Sequence, residues 1–250
     1  MIKNIVCIFL LIVSITSCSY LPDLPQIDGV RITEEREYIL IESETGIPGN
    51  TGLLFYPGGL VDPHAYISLM AQFAKSGNGH TVAIVKEPAN LAVLNADKGM
   101  QVIKDISYVD DWVIAGHSLG GSIACTTIAK EKNTFKGLIL LAAYPGDNTN
   151  ISSLFIPVLS MYGSLDGLVS QSDIDNASDL LPTGITITNA DSMLMYPGAT
   201  YYHKIDGGIH AFFGDYGEQN GDGNATITRE QQQAETILFI EKFFEVNNLN

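Results

Sequence analysis

The sequence predicts an α/β fold: a mostly parallel central sheet with helices on both faces and no cap domain. Three observations predict it. Apolar runs of strand length alternate with segments whose apolar residues recur at helical spacing. The runs are apolar throughout, the pattern of strands buried on both faces of a parallel sheet. The glycine-rich and polar motifs stand just after these runs, at the carboxyl ends of strands, where open α/β sheets place their sites.

The elements follow in order. Residues 38–41 and 52–56 read as strands. Residues 65–75 read as a helix, with Tyr66, Leu69, Met70 and Phe73 on one face. Residues 81–86 are rich in β-branched side chains, and 95–105 suit a helix. Strand 112–115 is followed by helix 119–130, then by strands at 137–141 and 158–162. A short helix is expected at 174–181, a last strand at 200–205 and a long final helix at 229–244, carrying Ile237, Leu238, Ile240, Phe243 and Phe244. About sixteen residues separate strands 137–141 and 158–162, too few for an inserted helical cap, so an open, shallow site is expected.

The first 35 residues stand apart from the fold. Lys3 precedes an apolar stretch, residues 5–15, interrupted only by Ser14. It is short for a membrane span and has the form of a secretory signal. Ile15-Thr16-Ser17-Cys18 follows and resembles the lipobox of bacterial lipoproteins, in which the cysteine is lipidated after cleavage. The expected organisation is a signal peptide at 1–17, a lipid-anchor tether at 18–35 and a folded domain at 36–250. That implies a bacterial cell envelope location with a membrane anchor at Cys18; an ordinary cleaved signal would instead leave the protein secreted or periplasmic. Cys7 lies in the signal, so only Cys125 remains in the domain and no internal disulfide forms after processing.

The 250 residues suit one sizeable domain, and a hydrophobic fraction of 46% with 16% charged residues is globular rather than disordered. A formal net charge of −15 repels phosphate backbones, so nucleic acid is not an expected partner. No Cys/His cluster has zinc spacing, and neither metal nor cofactor is expected. Residues 214–224 are rich in Gly, Asp and Asn, but they lack the acidic order and final glutamate of a calcium loop, which favours an ordered loop beside the site. Oligomeric state is not legible.

The chemistry centres on Gly116-His117-Ser118-Leu119-Gly120-Gly121. G-x-S-x-G between a strand and a helix is the nucleophile elbow: a sharp turn that lifts the Ser118 hydroxyl above the sheet and sets a helix N-terminus beside developing negative charge. Serine needs a base. Of five histidines, His117 adjoins the serine on the same turn and points elsewhere, His64 and His80 flank an early helix, and His203 lies inside the last strand. His210, just after that strand, is the expected base. Asp166, after strand 158–162, is the expected acid that orients the imidazole; Asp147 is its rival, and Asp206 is too near His210 in the chain to fold back onto it. The oxyanion hole is expected from the backbone N–H of Leu119 and of either Gly59 or Leu60, in Tyr56-Pro57-Gly58-Gly59-Leu60.

Those stretches, with Asn90-Leu91-Ala92-Val93-Leu94, Tyr162-Gly163-Ser164-Leu165-Asp166-Gly167-Leu168-Val169 and His210-Ala211-Phe212-Phe213-Gly214-Asp215-Tyr216-Gly217, resemble the compact α/β-hydrolase family related to dienelactone hydrolases. The resemblance spans most of residues 50–245. It implies the α/β-hydrolase fold, a triad of Ser118, Asp166 and His210, and no particular substrate. Dienelactone hydrolases proper often use cysteine where this chain has Ser118. Two further features depart from the family: Gly208-Ile209-His210 replaces the usual Gly-Asn-His, and residues 188–199 look like an insertion, with Met193, Leu194, Met195 and Tyr196 available to border the site or to pack on one another. The expected function is hydrolysis of a small-molecule ester or related acyl compound through an acyl-enzyme; the alternatives are a non-catalytic binding protein of the same fold and an acyltransferase using the same triad.

Overall fold

The computed structural model describes residues 25–45, 51–92, 95, 97–146 and 148–249. The signal, Cys18 and Asp147 lie outside the described residues. A nine-stranded sheet organises the described chain, in the order β1-β2-β4-β3-β5-β6-β7-β9-β8. Its strands are β1 Val30–Glu34, β2 Tyr38–Ser43, β3 Thr51–Tyr56, β4 Thr81–Val85, β5 Asp111–His117, β6 Phe135–Leu141, β7 Val158–Gly163, β8 Gly184–Thr186 and β9 Thr200–Ile205. From β4 to β8 every pairing is parallel; β2 runs antiparallel to β4, and β1 antiparallel to β2. β1 therefore runs in the same direction as β4. Its first residue, Val30, pairs with Ser43, whose neighbour Glu42 pairs with Thr81 at the start of β4. The chain thus joins the sheet at the amino ends of the parallel strands.

The apolar strands make two cores. Ile39, Leu53, Phe55, Val82, Ile84, Val113, Ile139 and Met161 face one side, where α1 (Ile67–Ala74) and α5 (Arg229–Val246) cover them. Leu54, Tyr56, Ala83, Ile114, Leu138 and Leu140 face the other, under α2 (Lys98–Asp105) and α3 (Leu119–Lys130). β3 and β4 are buried along their whole length, as strands covered on both faces must be. A further helix, α4 (Gln171–Ala177), opens with a capping box at Ser170 and Asp173. α5 opens with another, at Thr228 and Gln231.

Two features differ from the sequence reading. β1 falls inside the segment read as a tether; its proline-flanked, charged residues hide the pattern, and the Arg31–Glu42 pair across β1 and β2 accounts for part of that charge. β8 was not expected, because three residues are too few to show a period. For the excursion 188–199, of the two outcomes left open by the sequence, the structure agrees with packing on the fold rather than bordering the site. The excursion ends where β9 begins: Ala199 bonds Val158 at the start of β7, and Phe155 packs on Gly198, so its last residues lie at the amino ends of the strands. Met193 is buried, while Leu194, Met195 and Tyr196 are exposed. Between β6 and β7 no α-helix occurs among the described residues.

Candidate active site

At the carboxyl end of β5 the chain reverses into α3 through Ser118, whose backbone is forced to φ 52° and ψ −123°. The flanking glycines explain how so tight a turn closes. A Cβ on Gly116 would stand 2.4 Å from the Gly120 backbone, and one on Gly120 would stand 2.3 Å from the Tyr56 and Pro57 carbonyls. Ser118 is half-buried at the N-cap of the twelve-residue helix α3, so the helix dipole points at its hydroxyl.

The neighbouring strands β7 and β9 end beside one another and bring two polar groups together. Asp166 lies in the loop after β7 and His210 in the loop after β9. Their loops are joined by Ser164 N–H to Ile205 O (2.9 Å), Leu165 N–H to Gly208 O (2.9 Å) and Gly207 N–H to Ser164 Oγ (2.8 Å). His210 Nδ1 stands 2.9 Å from Asp166 Oδ2, with side-chain exposures of 1% and 0%. The other Asp166 oxygen accepts the N–H groups of Leu168 (2.8 Å) and Val169 (2.7 Å), which fix the carboxylate. An ionised carboxylate in this position makes Nδ1 the protonated nitrogen and leaves the lone pair on Nε2. Nε2 is buried and has no hydrogen-bond partner; the Ser118 hydroxyl is not turned onto it.

The remaining candidates are placed as follows. Leu119 supplies the first N–H of α3. A Cβ on Gly59 would stand 2.9 Å from the Leu119 side chain, so the Gly58-Gly59 turn packs directly against the elbow. Leu60 is corrected as an oxyanion donor: its N–H is held by the Asn90 carbonyl at 2.7 Å, and its side chain turns to solvent from a positive φ of 62°. That leaves Gly59 as the candidate donor from this loop. His117 does point away from Ser118, into a bond with Tyr66. His64 joins Asp62 (2.6 Å) and Glu34 (3.1 Å), two anions that raise its pKa against the opposing effect of burial. His203 bonds Ile187 O (3.1 Å) and Glu235 (2.7 Å), and its ring stacks on Phe239. Asp206 is exposed.

Sequence reasoning missed Asp222, Gln232 and Tyr66. Asp222 accepts the backbone N–H groups of His210 (3.1 Å), Ala211 (2.8 Å), Gly223 (2.8 Å) and, from the Asp166 loop, Gly167 (3.3 Å). Its oxygens are thus committed to backbone, and the 214–224 loop clasps both partners of the Asp166–His210 pair. Gln232 of α5 holds Ile209 from both sides, accepting its N–H (3.0 Å) and donating to its carbonyl (2.9 Å). The glycines around Asp222 were a visible turn signal, but a Gln or Tyr reaching a remote backbone group leaves no local pattern.

Comparison with known proteins agrees with this architecture. The profile of the alpha/beta hydrolase family matches residues 52–234. No curated protein matches the chain. Among solved structures, an alpha/beta hydrolase enzyme from the metagenome of lagoon sediments at Mar Chica, Morocco, aligns with a TM-score of 0.62 at 12% identity, covering 87% of this chain and 99% of that one. A predicted CIB-like hydrolase from Thermoplasma acidophilum aligns with a TM-score of 0.58 at 14% identity, covering 85% and 99%. An alpha/beta hydrolase fold protein from Chitinophaga pinensis aligns with a TM-score of 0.55 at 11% identity, covering 85% and 97%. At such identities the likeness is one of fold. The matched profile takes in Ser118, Asp166 and His210 and extends over most of the sequence, so the chain belongs to the alpha/beta hydrolase family.

Proposed function

We propose that the protein is a serine hydrolase of small esters or related acyl compounds, akin to the dienelactone-hydrolase branch of its family. The observation that carries this reading is the buried Asp166–His210 pair at 2.9 Å, beside a strained serine elbow. Ser118 Oγ turns to the free Nε2 of His210 and attacks the substrate carbonyl. His210 takes its proton, and Asp166 stabilises the imidazolium without being protonated. The carbonyl electron pair becomes an oxyanion facing the N–H groups of Leu119 and Gly59. Collapse expels the alcohol, which leaves with the proton from His210, and the acyl group stays on Ser118. Water, deprotonated by the same imidazole, then releases the acid and restores the serine. An uncapped site suits small or polar acyl groups better than long lipid chains.

Purified Ser118→Ala and His210→Ala variants should each lose about 10³-fold or more in kcat, with cooperative melting retained. Ser118→Ala should also stop labelling by a fluorophosphonate. Wild-type ester turnover by Ser118→Ala would refute the reading, and an unlabelled, inactive wild-type chain would favour a binding protein. Asp166→Asn should be crippling and Asp147→Asn mild. Added alcohols that divert the acyl group from water would instead favour a transferase. The proposal extends to location: the short apolar core before Cys18 supports an envelope lipoprotein, tested by mass spectrometry of the mature N-terminus and by loss of lipid labelling in Cys18→Ser.

A further inference from the structure

We infer that Tyr66 and His117 are positioning residues that lock the oxyanion loop to the base through a single phenol hydroxyl; this rests on the serine-hydrolase reading. The Tyr66 hydroxyl is buried at the end of the turn Pro63–Tyr66, just before α1. It accepts the backbone N–H of Gly58 at 3.0 Å and lies 2.8 Å from Nδ1 of His117. A Cβ on Gly58 would meet both the hydroxyl and Nδ1 at 2.9 Å, so the three groups are in close contact.

The direction of the second bond follows from counting protons. Burial raises the Tyr66 pKa well above the ordinary phenol value, so the hydroxyl keeps its proton. With its oxygen accepting from Gly58, that proton is free to go to Nδ1 of His117. His117 is itself held neutral: burial first, and then the charge of the adjacent His210, push its pKa well below the ordinary value, against a smaller opposing effect of the His210 backbone. Nδ1 is then the acceptor and Nε2 carries the hydrogen. Nε2 has no hydrogen-bond partner in either tautomer, and the opposite one would in addition strand the phenol proton.

This neutral imidazole stands behind the base. The His117 and His210 ring centroids are 4.5 Å apart, inclined by 48°, and Phe213 and Tyr216 flank His117 at 5.7 Å and 6.3 Å. A cation at His117 would oppose the charge that His210 must gain in each transition state; a neutral, hydrogen-bonded ring supports its orientation at no such cost. The same hydroxyl restrains Gly58, next to the Gly59 donor. Tyr66 thereby sets the distance between the two parts of the machinery that act together on the tetrahedral intermediate, one holding its oxygen and one holding its proton.

The test uses Tyr66→Phe, His117→Asn and His117→Leu, with p-nitrophenyl acetate as substrate. The diagnostic inhibitor is 2,2,2-trifluoroacetophenone. Ser118 Oγ adds to its carbonyl, the π pair becomes the oxyanion, and the serine proton passes to His210, so no leaving group is needed. Acetophenone serves as the ground-state control. Tyr66→Phe should lower kcat about 10- to 100-fold with KM changed by less than about twofold. The trifluoroketone Ki should rise in proportion, while acetophenone inhibition stays put. His117→Asn keeps an acceptor near the Nδ1 position and should recover most of the activity; His117→Leu should resemble Tyr66→Phe. Near-wild-type kcat in Tyr66→Phe, a kcat loss with unchanged trifluoroketone affinity, or equal damage from Asn and Leu at position 117 would each overturn the inference. Should Tyr66→Phe not fold, the comparison at position 117 decides. Ser118→Ala separates the two levels: if it remains active, the hydrolase reading falls; if it is dead while Tyr66→Phe is normal, only this inference falls.

Discussion

Four backbone N–H groups converge on the carboxylate of Asp222: those of His210 and Ala211, that of Gly167 in the Asp166 loop, and that of its own neighbour Gly223. Replacing Asp222 by alanine leaves those donors to solvent or unpaired. Asp222→Ala should cost about 2–3 kcal/mol of stability, seen as a fall in Tm of about 5–10 °C, because hydrogen bonds to a charged acceptor lie at the strong end of the range. It should also lower kcat, as His210 loses its backbone anchor. Asp222→Asn keeps one acceptor oxygen and should be milder on both measures; equal Tm values for Asp222→Ala and wild type would show that the clasp carries no load. Ser118, Asp166 and His210 were legible because each stands at a fixed step from a strand end and is flanked by glycines. Asp222, Tyr66 and Gln232 were not, since their bonds reach backbone atoms 8 to 55 positions away and no spacing rule marks them. The choice between Gly59 and Leu60 likewise needed the Asn90 carbonyl, a contact between two loops.

Among the elements, the junction of α1, β4 and α5 carries an uncharged histidine. His80 stacks on Phe73 at 4.4 Å and meets Phe244 edge-on at 5.2 Å, and burial depresses its pKa to about 4. The unfolded chain protonates it near its ordinary value of 6.5, so between pH 6.5 and 4 the unfolded state binds more protons than the folded one. Its contribution is therefore complete above pH 6.5 and is lost as pH falls through 4, by on the order of 3 kcal/mol. Glu87, beyond the end of β4, acts in the opposite sense. Buried with both oxygens unpartnered, it is raised from 4.5 to about 7, so the folded state binds the extra proton and stability falls as pH rises through that window. The two slopes oppose one another between pH 4.5 and 6.5. Urea melts should show this: relative to wild type, His80→Leu should lose stability more steeply as pH rises across that interval, and Glu87→Gln should gain it. Parallel pH profiles for all three proteins would contradict the assignment. The same junction shows why element boundaries were only partly legible. The long apolar strands and α5 announce themselves by burial on both faces or by helical period, whereas β1 is short and charged and β8 has three residues, so neither shows a period that single-sequence reading can resolve.

At the scale of the whole molecule, the sheet has a direction. Every parallel strand ends at the face that holds Ser118, Asp166 and His210, and the chain joins β1 at the opposite face, where the 188–199 excursion also ends. The overall architecture was readable because that directionality is written into the order of strand, motif and helix along the chain. If Cys18 moors the protein to a bilayer as proposed, the consequence is one of compass bearing. The mooring line would attach on the lower side of the domain, and the catalytic mouth would open away from the lipid into the surrounding aqueous space. Dissolved esters would then reach it unhindered, while acyl chains within the membrane would not. The form anchored in vesicles and the form freed of its first 24 residues should therefore hydrolyse a water-soluble ester with kcat/KM values within about twofold of each other. A marked gain on anchoring, confined to bilayer-embedded substrates, would mean that the mouth faces the lipid after all.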